Sequence, residues 1–280
     1  TDVYYEGTEA QWNDITINSG LNATIHFAPT PTEPVDSRLS FTLNEDGESY
    51  SVTDCDESAE GEIIIPSTYN GLPVTTIGNS AFEDCQSLTT VTIPNSITTI
   101  GNSAFEDCQS LTSVTIPDSV TTIGNAAFFW CSLTSVTIPD SVTTIGEDAF
   151  AYCTSLTSVT IPDRVTTIGN YAFFNCYDLT SVTIPDSVTT IGDRAFYCCT
   201  SLTSVTIPDS VTTIGNYAFY CCSALTSVYY TGTQAQWNAI SIGDDNEYLL
   251  NATIYFASTP TEPVDSRLGF YLNEDGESYY

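Results

Sequence analysis

Ten cysteines are the residues of this chain best able to do chemistry, as metal ligands, disulfides or nucleophilic thiolates. Zinc motifs need two close pairs of ligands, and the sequence has no such arrangement. Seven cysteines instead recur once in every 22 or 23 residues, which predicts a column of small buried thiols in the core. Cys198 and Cys221 each precede a column cysteine and are the best candidates for a disulfide. The column comprises Cys85, Cys108, Cys131, Cys153, Cys176, Cys199 and Cys222.

A histidine-based catalytic site is poorly supported. His26 is the single histidine of the sequence and lies in a predicted strand. Tyr255 takes its place in a second copy of the same segment, so a general base or metal ligand is not expected at this position. Without further histidines, no Ser/His/Asp or Cys/His constellation can recur along the chain. The protein is therefore predicted not to be an enzyme and to require no cofactor.

Three acidic loops could supply oxygen ligands to calcium, which binds several carboxylate and carbonyl oxygens. None has the twelve-residue spacing of an EF-hand, so solvated turns are the alternative interpretation. Calcium is thus a possible ligand. The candidate ligands are Asp46 and Glu48, Asp54 and Asp56, and Asp244 and Asp245.

The charge of the chain excludes some classes of partner. There are 35 acidic residues against four arginines and no lysine, which gives a formal net charge of -31. Nucleic acids and anionic membranes are bound by clustered basic residues, so neither is an expected partner. No apolar run reaches the roughly 18 residues of a membrane-spanning helix. Salt or divalent cations would screen this self-repulsion, which favours an extracellular or cell-surface location.

A short repeat must position these residues. An Ile-Gly pair recurs at a spacing of 23 residues, once 22, and an Ala-Phe pair and a cysteine follow it each time. A fixed period of this length is typical of solenoids, in which neighbouring coils bury a shared core. The glycines are Gly78, Gly101, Gly124, Gly146, Gly169, Gly192 and Gly215, and the phenylalanines are Phe82, Phe105, Phe128, Phe150, Phe173, Phe196 and Phe219.

Each repeat predicts one coil with two strands. Apolar and hydroxyl side chains alternate in residues 114–116, as a half-buried strand requires, and Pro117 ends that strand. A second β-rich run at 120–123 is expected to turn at Gly124 through a positive φ. A short helical or turn segment at 127–128 returns the chain. We therefore predict a β-rich α/β solenoid of seven coils, about 23 residues each.

The repeat motif, LTSVTIPDSVTTIGNYAF at 202–219, resembles the BspA-like class of leucine-rich repeats. The resemblance covers residues 61–228. It implies a solenoid found largely on or outside microbial cells, in several cases associated with adhesion to host proteins or other cells. Residues 41–71 resemble the β-rich entrance cap of that class, and the segment from Val228 resembles its exit cap.

A longer period surrounds the short one. Residues 3–50 recur near the other end, and PTEPVDSRL occurs at 31–39 and 260–268. The chain is thus expected to be a piece of a longer tandem array. The predicted divisions are the exit cap of a preceding module at 1–28, a Pro/Thr-rich semi-rigid linker at 29–38, an entrance cap at 39–76, the solenoid at 77–227, an exit cap at 228–257, a second linker at 258–267 and the start of the next entrance cap at 268–280.

Aromatic residues provide the strongest surface signal. The two positions after the coil phenylalanine are Glu-Asp in the first two coils and become aromatic in later ones. These rings can form a contact strip for a protein or a glycan, or they can simply cover the edge of the core. The candidate partner-binding residues are Phe129, Trp130, Tyr152, Phe174, Tyr177, Tyr197 and Tyr220.

The sequence favours a non-enzymatic structural or adhesive protein, a segment of a long tandem array or of a filament built from copies of itself. The alternative is a module that binds a specific glycan or protein through the aromatic residues. A third hypothesis is binding of ice or ordered water by ladders of outward Ser and Thr, for example Ser113 and Thr115 beside Ser135 and Thr137. Such ladders are more often a soluble, β-favouring face.

Overall fold

The computed structural model describes residues 2–5, 24–27 and 35–257. The described residues form a β-solenoid of about nine turns, which confirms the predicted solenoid. The predicted linkers at 29–38 and 258–267, the segment 268–280 and most of the exit cap at 1–28 lie wholly or partly outside the described residues.

Each coil places a first strand on one side of the core and a second strand on the other. The first strands are β5 (Gly61–Ile64), β8 (Leu88–Thr92), β10 (Ser113–Val114), β12 (Ser135–Thr137), β14 (Ser158–Thr160), β16 (Ser181–Thr183), β18 (Ser204–Ile207), β20 (Ser227–Tyr230) and β22 (Thr253–Phe256). The second strands are β7 (Leu72–Ile77), β9 (Thr99–Ile100), β11 (Thr122–Ile123), β13 (Thr144–Ile145), β15 (Thr167–Ile168), β17 (Thr190–Ile191), β19 (Thr213–Ile214) and β21 (Ser241–Ile242).

Equivalent residues of successive coils stack on one another. Paired strands of successive coils are parallel and in register, so that Ile123 pairs with Ile145 and Val136 with Val159. The core consists of columns of Ile, Val, Leu, Ala, Phe and Cys. In the phenylalanine column the ring centroids of neighbours lie between 4.9 Å, for Phe82 and Phe105, and 5.6 Å, for Phe150 and Phe173. The same register places the outward Ser and Thr side chains in exposed ladders.

The glycine of each coil is required for a reason other than the predicted one. Gly124 does not have a positive φ; Ala126, two residues later, does (52°). A Cβ on Gly124 would lie 2.6 Å from the carbonyl carbon of Gly101 in the preceding coil. The glycine is therefore needed for close backbone approach, and the turn after it supplies the left-handed conformation. Residues 125–130 form turns, not a helix.

The entrance end is closed by a hairpin and an arginine. Strands β3 (Leu39–Leu43) and β4 (Tyr50–Cys55) are antiparallel, β4 pairs with β7, and the short β6 (Thr68–Tyr69) pairs with the other part of β7. The Arg38 guanidinium donates to the carbonyl oxygens of Glu60 and Glu62 at 2.7 Å, at the outer edge of β5. This occupies acceptors to which a further strand could pair.

The exit end contains the helices of the described residues, α1 (Gln234–Trp237) and α2 (Glu247–Asn251). Strand β22 pairs with β20 in parallel, with Val228 opposite Ile254. Near the N-terminus, β1 (Asp2–Tyr5) and β2 (Thr24–Phe27) form the same kind of parallel pair, with Val3 opposite Ile25. The two segments related by the longer sequence period thus share one strand pairing. Neither helix among the described residues has the length and apolarity to cross a membrane.

The second-strand sheet is interrupted once among the seven coils. Strands β3, β4, β7, β9, β11 and β13 belong to one sheet, and β15, β17, β19 and β21 to another. Within the described chain, no backbone hydrogen bond joins residues 142–146 to residues 164–169. We call this junction the seam.

Two substitutions in the repeat explain the seam. At the junction before the seam, the Asn125 side-chain oxygen accepts the Glu147 N–H at 2.9 Å. At the junction after it, the Asn170 side-chain oxygen accepts the Asp193 N–H in the same way. At the seam itself, Glu147 replaces the asparagine whose side chain would accept the Asn170 N–H. A serine of other coils, such as Ser141, donates to the carbonyl of the preceding coil, and Arg164 replaces that serine. The seam therefore lacks side-chain bonds as well as backbone bonds.

Candidate interaction surface

The turns after the coil phenylalanines bring the predicted aromatic residues together along one side of the solenoid. Ring centroids are 5.2 Å apart for Phe129 and Tyr152, 5.4 Å for Tyr152 and Phe174, 4.7 Å for Phe174 and Tyr197, and 5.1 Å for Tyr197 and Tyr220. Trp130 contacts Tyr152 at 5.9 Å. We call these six rings, with the neighbouring predicted residue Tyr177, the aromatic strip.

Exposure differs along the aromatic strip. Trp130 is 51% exposed, Tyr177 40% and Tyr220 36%, whereas Phe129, Tyr152, Phe174 and Tyr197 are half-buried. The middle of the strip thus covers the edge of the core. Trp130 and Tyr220 at its ends, and Tyr177 in coil five, leave large aromatic side chains in solvent.

The rings turn their edges outward in the later coils. Phe174 and Tyr197 stack with an interplanar angle of 14°, and Tyr197 and Tyr220 with 21°. Both faces of the Tyr197 ring and one face each of Phe174 and Tyr220 are therefore covered and are not available for stacking on a planar or pyranose ligand. Edges and tyrosine hydroxyls are available for contacts with a protein surface.

Several aromatic residues have a positive φ, a backbone conformation that favours other residue types. Among the described residues, all non-glycine positions with positive φ except Asn70 and Asp245 lie two residues after a coil glycine or two after a coil phenylalanine. Trp130 (58°) and Tyr152 (59°) lie at the second kind of position. Glycine, Asn and Asp tolerate this conformation, and other residues pay roughly 1–2 kcal/mol for it. Aromatic residues here point to a role beyond folding.

An arginine lies beside the aromatic strip, and sequence reasoning missed it. The Arg194 guanidinium carbon is 5.4 Å from the Tyr171 ring centroid and 4.8 Å from that of Tyr217. These three residues occupy the same position in coils five, six and seven. The signal that could have revealed the contact is their spacing of 23 residues.

The first two coils continue the same line of the surface with carboxylates. Glu83, Asp84, Glu106 and Asp107 stand at positions that later coils fill mostly with rings or cysteines. Burial, and then the charges of Glu147 and Glu106, raise the pKa of Asp148 to about 6. The strip is therefore bordered by acidic side chains at one end.

The cysteine column is structural. Each buried thiol from Cys108 onwards donates to the carbonyl of a phenylalanine in the preceding coil, at 3.1 Å for Cys108 and Phe82. Burial raises the pKa of Cys153 to about 12, so this thiol is protonated at neutral pH and is not a nucleophile.

The predicted disulfide pair lies near the aromatic strip. Cys198 and Cys221 are half-buried neighbours, and burial followed by the adjacent Cys221 thiol raises the pKa of Cys198 to about 12. Both occupy positive-φ positions, and the Cys198 N–H donates to Tyr220 O. The disulfide stays a prediction.

The predicted calcium ligands do not converge. Asp46 accepts the Glu48 N–H at 2.8 Å and the Ser49 hydroxyl, and these bonds lower the pKa of Asp46. Asp56 accepts the Ser58 hydroxyl and N–H, which lowers its pKa in the same way. Within the described part of the chain, no three His, Cys, Asp or Glu side chains form a group that could hold a metal ion. Calcium binding at these turns stays a prediction.

The repeat matches a family model, described as a BspA type leucine-rich repeat region, in six copies within residues 75–190 and 121–241. The chain belongs to this family. The BspA type match thus spans more than half of the chain, as the repeat motif predicts. No curated protein matches the sequence.

Two solved structures of leucine-rich repeat proteins show a similar fold. The chain is similar to a leucine-rich repeat protein of T. pallidum, with 28% identity, 81% of this chain and 100% of that chain covered, and a TM-score of 0.65. It is also similar to one from Bacteroides ovatus, with 27% identity, 80% and 71% covered, and a TM-score of 0.50. Family and fold are typical of non-enzymatic structural or binding repeat proteins.

Proposed function

We propose that this chain is a non-enzymatic, extracellular adhesive repeat protein whose aromatic strip binds a protein partner. The observation that carries the proposal is the run of six contacting rings over five coils, with Trp130 and Tyr152 held at positive φ. Tyr and Trp are enriched at the centres of protein interfaces, where they contribute a large share of the binding energy.

A protein is favoured over a glycan as the partner because of ring orientation. The stacked rings of Phe174, Tyr197 and Tyr220 offer edges and hydroxyls, whereas sugar binding by aromatic residues uses ring faces. A glycan remains the alternative ligand, and the experiment below separates the two.

Two further features support an extended structural role outside the cell. The parallel pair β1–β2 has the same kind of register as β20–β22, as successive modules of a tandem array or filament would. The net charge of -31 suits an environment where salt and divalent cations screen it. The exposed hydroxyl ladders leave ice binding as a third hypothesis, and a thermal-hysteresis measurement tests it.

The strip is tested by retention of the protein on cells and on protein-coated surfaces. A variant with Trp130→Asn, Tyr152→Asn and Tyr220→Ala should lose at least about tenfold in affinity, since each removed anchor of this kind contributes about 1 kcal/mol or more. Protease treatment of the cells should abolish retention of the parent protein, and periodate oxidation of their glycans should not.

The matched control removes two exposed tyrosines elsewhere. Tyr229 and Tyr255 stack at 5.2 Å on the first-strand face and are 47% and 50% exposed. Tyr229→Thr with Tyr255→Thr should leave retention unchanged. Equal losses in both variants would count against the strip, and sensitivity to periodate alone would favour the glycan alternative.

A further inference from the structure

Arg194 is held in one orientation by two tyrosines of neighbouring coils. Its guanidinium lies between the rings of Tyr171 and Tyr217, and Nη1 donates to the Tyr171 hydroxyl at 2.6 Å. The two tyrosines contact Phe174 and Tyr220 of the aromatic strip at 5.5 and 5.7 Å. The arginine is therefore built into the edge of the strip.

This arginine has no ion-pair partner within the described chain, although Asp245 lies beside Tyr217 and raises its pKa. No carboxylate of residues 35–257 forms an ion pair with Arg194, although the protein has 35 acidic residues. Arg38, by contrast, pairs with Asp36 and donates to two backbone carbonyls, those of Glu60 and Glu62. The Arg194 side chain has one hydrogen bond in the described structure, to the Tyr171 hydroxyl, so most of its five donors are available.

The backbone position adds an independent observation. Arg194 has a φ of 54°, at a turn position occupied by Ser, Ala or Asp in the first four coils. A long charged side chain in the left-handed region is not what the turn itself favours. A guanidinium held by two rings has already lost much of its rotamer freedom, so binding through it costs less entropy.

We propose that Arg194, pinned between Tyr171 and Tyr217, binds a carboxylate of the protein partner of the aromatic strip. A planar guanidinium offers parallel N–H groups to the two oxygens of a carboxylate, and the surrounding tyrosines reduce its exposure to water. The inference rests on the proposed function, because the strip supplies the rest of the contact area.

The source of the carboxylate follows from the charge of the chain. An anionic polymer would be repelled by a chain of net charge -31 and by Glu106 and Asp148 at the other end of the strip. A protein surface can present one Asp or Glu within a neutral or basic patch. The partner then meets acidic residues at coils one and two and a single cation at coil six, which favours one direction along the strip even though Asp245 lies beside Tyr217.

The proposal is tested with small probes and the intact chain. N-acetyl-glutamate N-methylamide, its glutamine analogue and glucuronate are titrated while the Nε–H signals of the four arginines are followed by NMR. The glutamate probe should shift the Arg194 signal in a saturable manner, and the glutamine probe should not. In Arg194→Gln the binding should fall at least about tenfold, the loss of a charge-assisted bidentate bond.

Arg164→Gln is the matched control, because it removes the same charge from an exposed residue outside the strip. It should bind the glutamate probe as the parent does. Equal binding by Arg194→Gln, or an equal shift at Arg164, would overturn the proposal, and tighter binding of glucuronate would overturn the assignment to a polypeptide. If the strip variants lose cell retention but the glutamate probe does not bind at Arg194, this inference is wrong and the proposed function still stands.

Discussion

At the residue scale, each coil turn contains buried side chains that stabilise the fold and exposed side chains that contribute little to its stability. Phe128 is fully buried in the phenylalanine column. Trp130, two residues later, is half exposed at a φ of 58°. Neighbours in sequence are thus expected to contribute very different amounts to stability.

Trp130→Asn should change the free energy of unfolding by no more than about 1 kcal/mol. Asparagine relieves a left-handed penalty of roughly 1–2 kcal/mol, and the lost contacts with Phe129 and Tyr152 cost about as much. Phe128→Ala should lower it by about 3–5 kcal/mol because it empties a packed site. Denaturant unfolding followed by circular dichroism measures both, and a large loss in Trp130→Asn would assign Trp130 to the core.

At the element scale, the ladders between coils decide local stability. The seam between β13 and β15 lacks the bonds that neighbouring junctions have, because Glu147 and Arg164 replace a ladder asparagine and serine. Opening of the solenoid is expected to begin there, since regions with few backbone hydrogen bonds unfold locally at low free energy.

The double variant Glu147→Asn with Arg164→Ser should close the seam. Each restored hydrogen bond contributes about 0.5–1.5 kcal/mol, so the free energy of unfolding should rise by about 1–3 kcal/mol. The two substitutions together leave the net charge unchanged. A rise in the free energy of unfolding therefore cannot come from a change in overall charge repulsion. Amide hydrogen exchange should slow at Thr166 and Gly169 in particular. Unchanged exchange at these two amides would show that other interactions keep the strands apart.

At the scale of the whole molecule, negative charge opposes the compact state. The net charge is -31, and the structure gives Arg38 an acidic partner but leaves Arg164 and Arg194 without one among the described residues. Stability should therefore depend on counterions more than on specific ion pairs.

Raising NaCl from about 0.01 M to about 1 M should raise the melting temperature, because the screening length falls from about 30 Å to about 3 Å. Calcium and magnesium chloride at matched ionic strength separate screening from binding. A larger rise with calcium, abolished by Asp46→Asn with Asp56→Asn, would support calcium at the acidic turns. Equal rises in melting temperature with calcium and magnesium would show that screening accounts for the whole effect. A fall in melting temperature with NaCl would contradict the electrostatic argument.

The sequence by itself determined the solenoid, the strand pairs, the buried cysteine column and the alignment of the aromatic residues. One residue per coil at a fixed period must stack on its equivalents, so Cys153 and Tyr152 each fall in a predictable column. Three features were decided by the tertiary structure alone. The close approach at Gly124, the edge-out orientation of Tyr197, and the position of Arg194 without an acidic partner all depend on distances between atoms of different coils. A repeat period fixes which residues are neighbours, but the packing of their backbones and rings fixes how they meet.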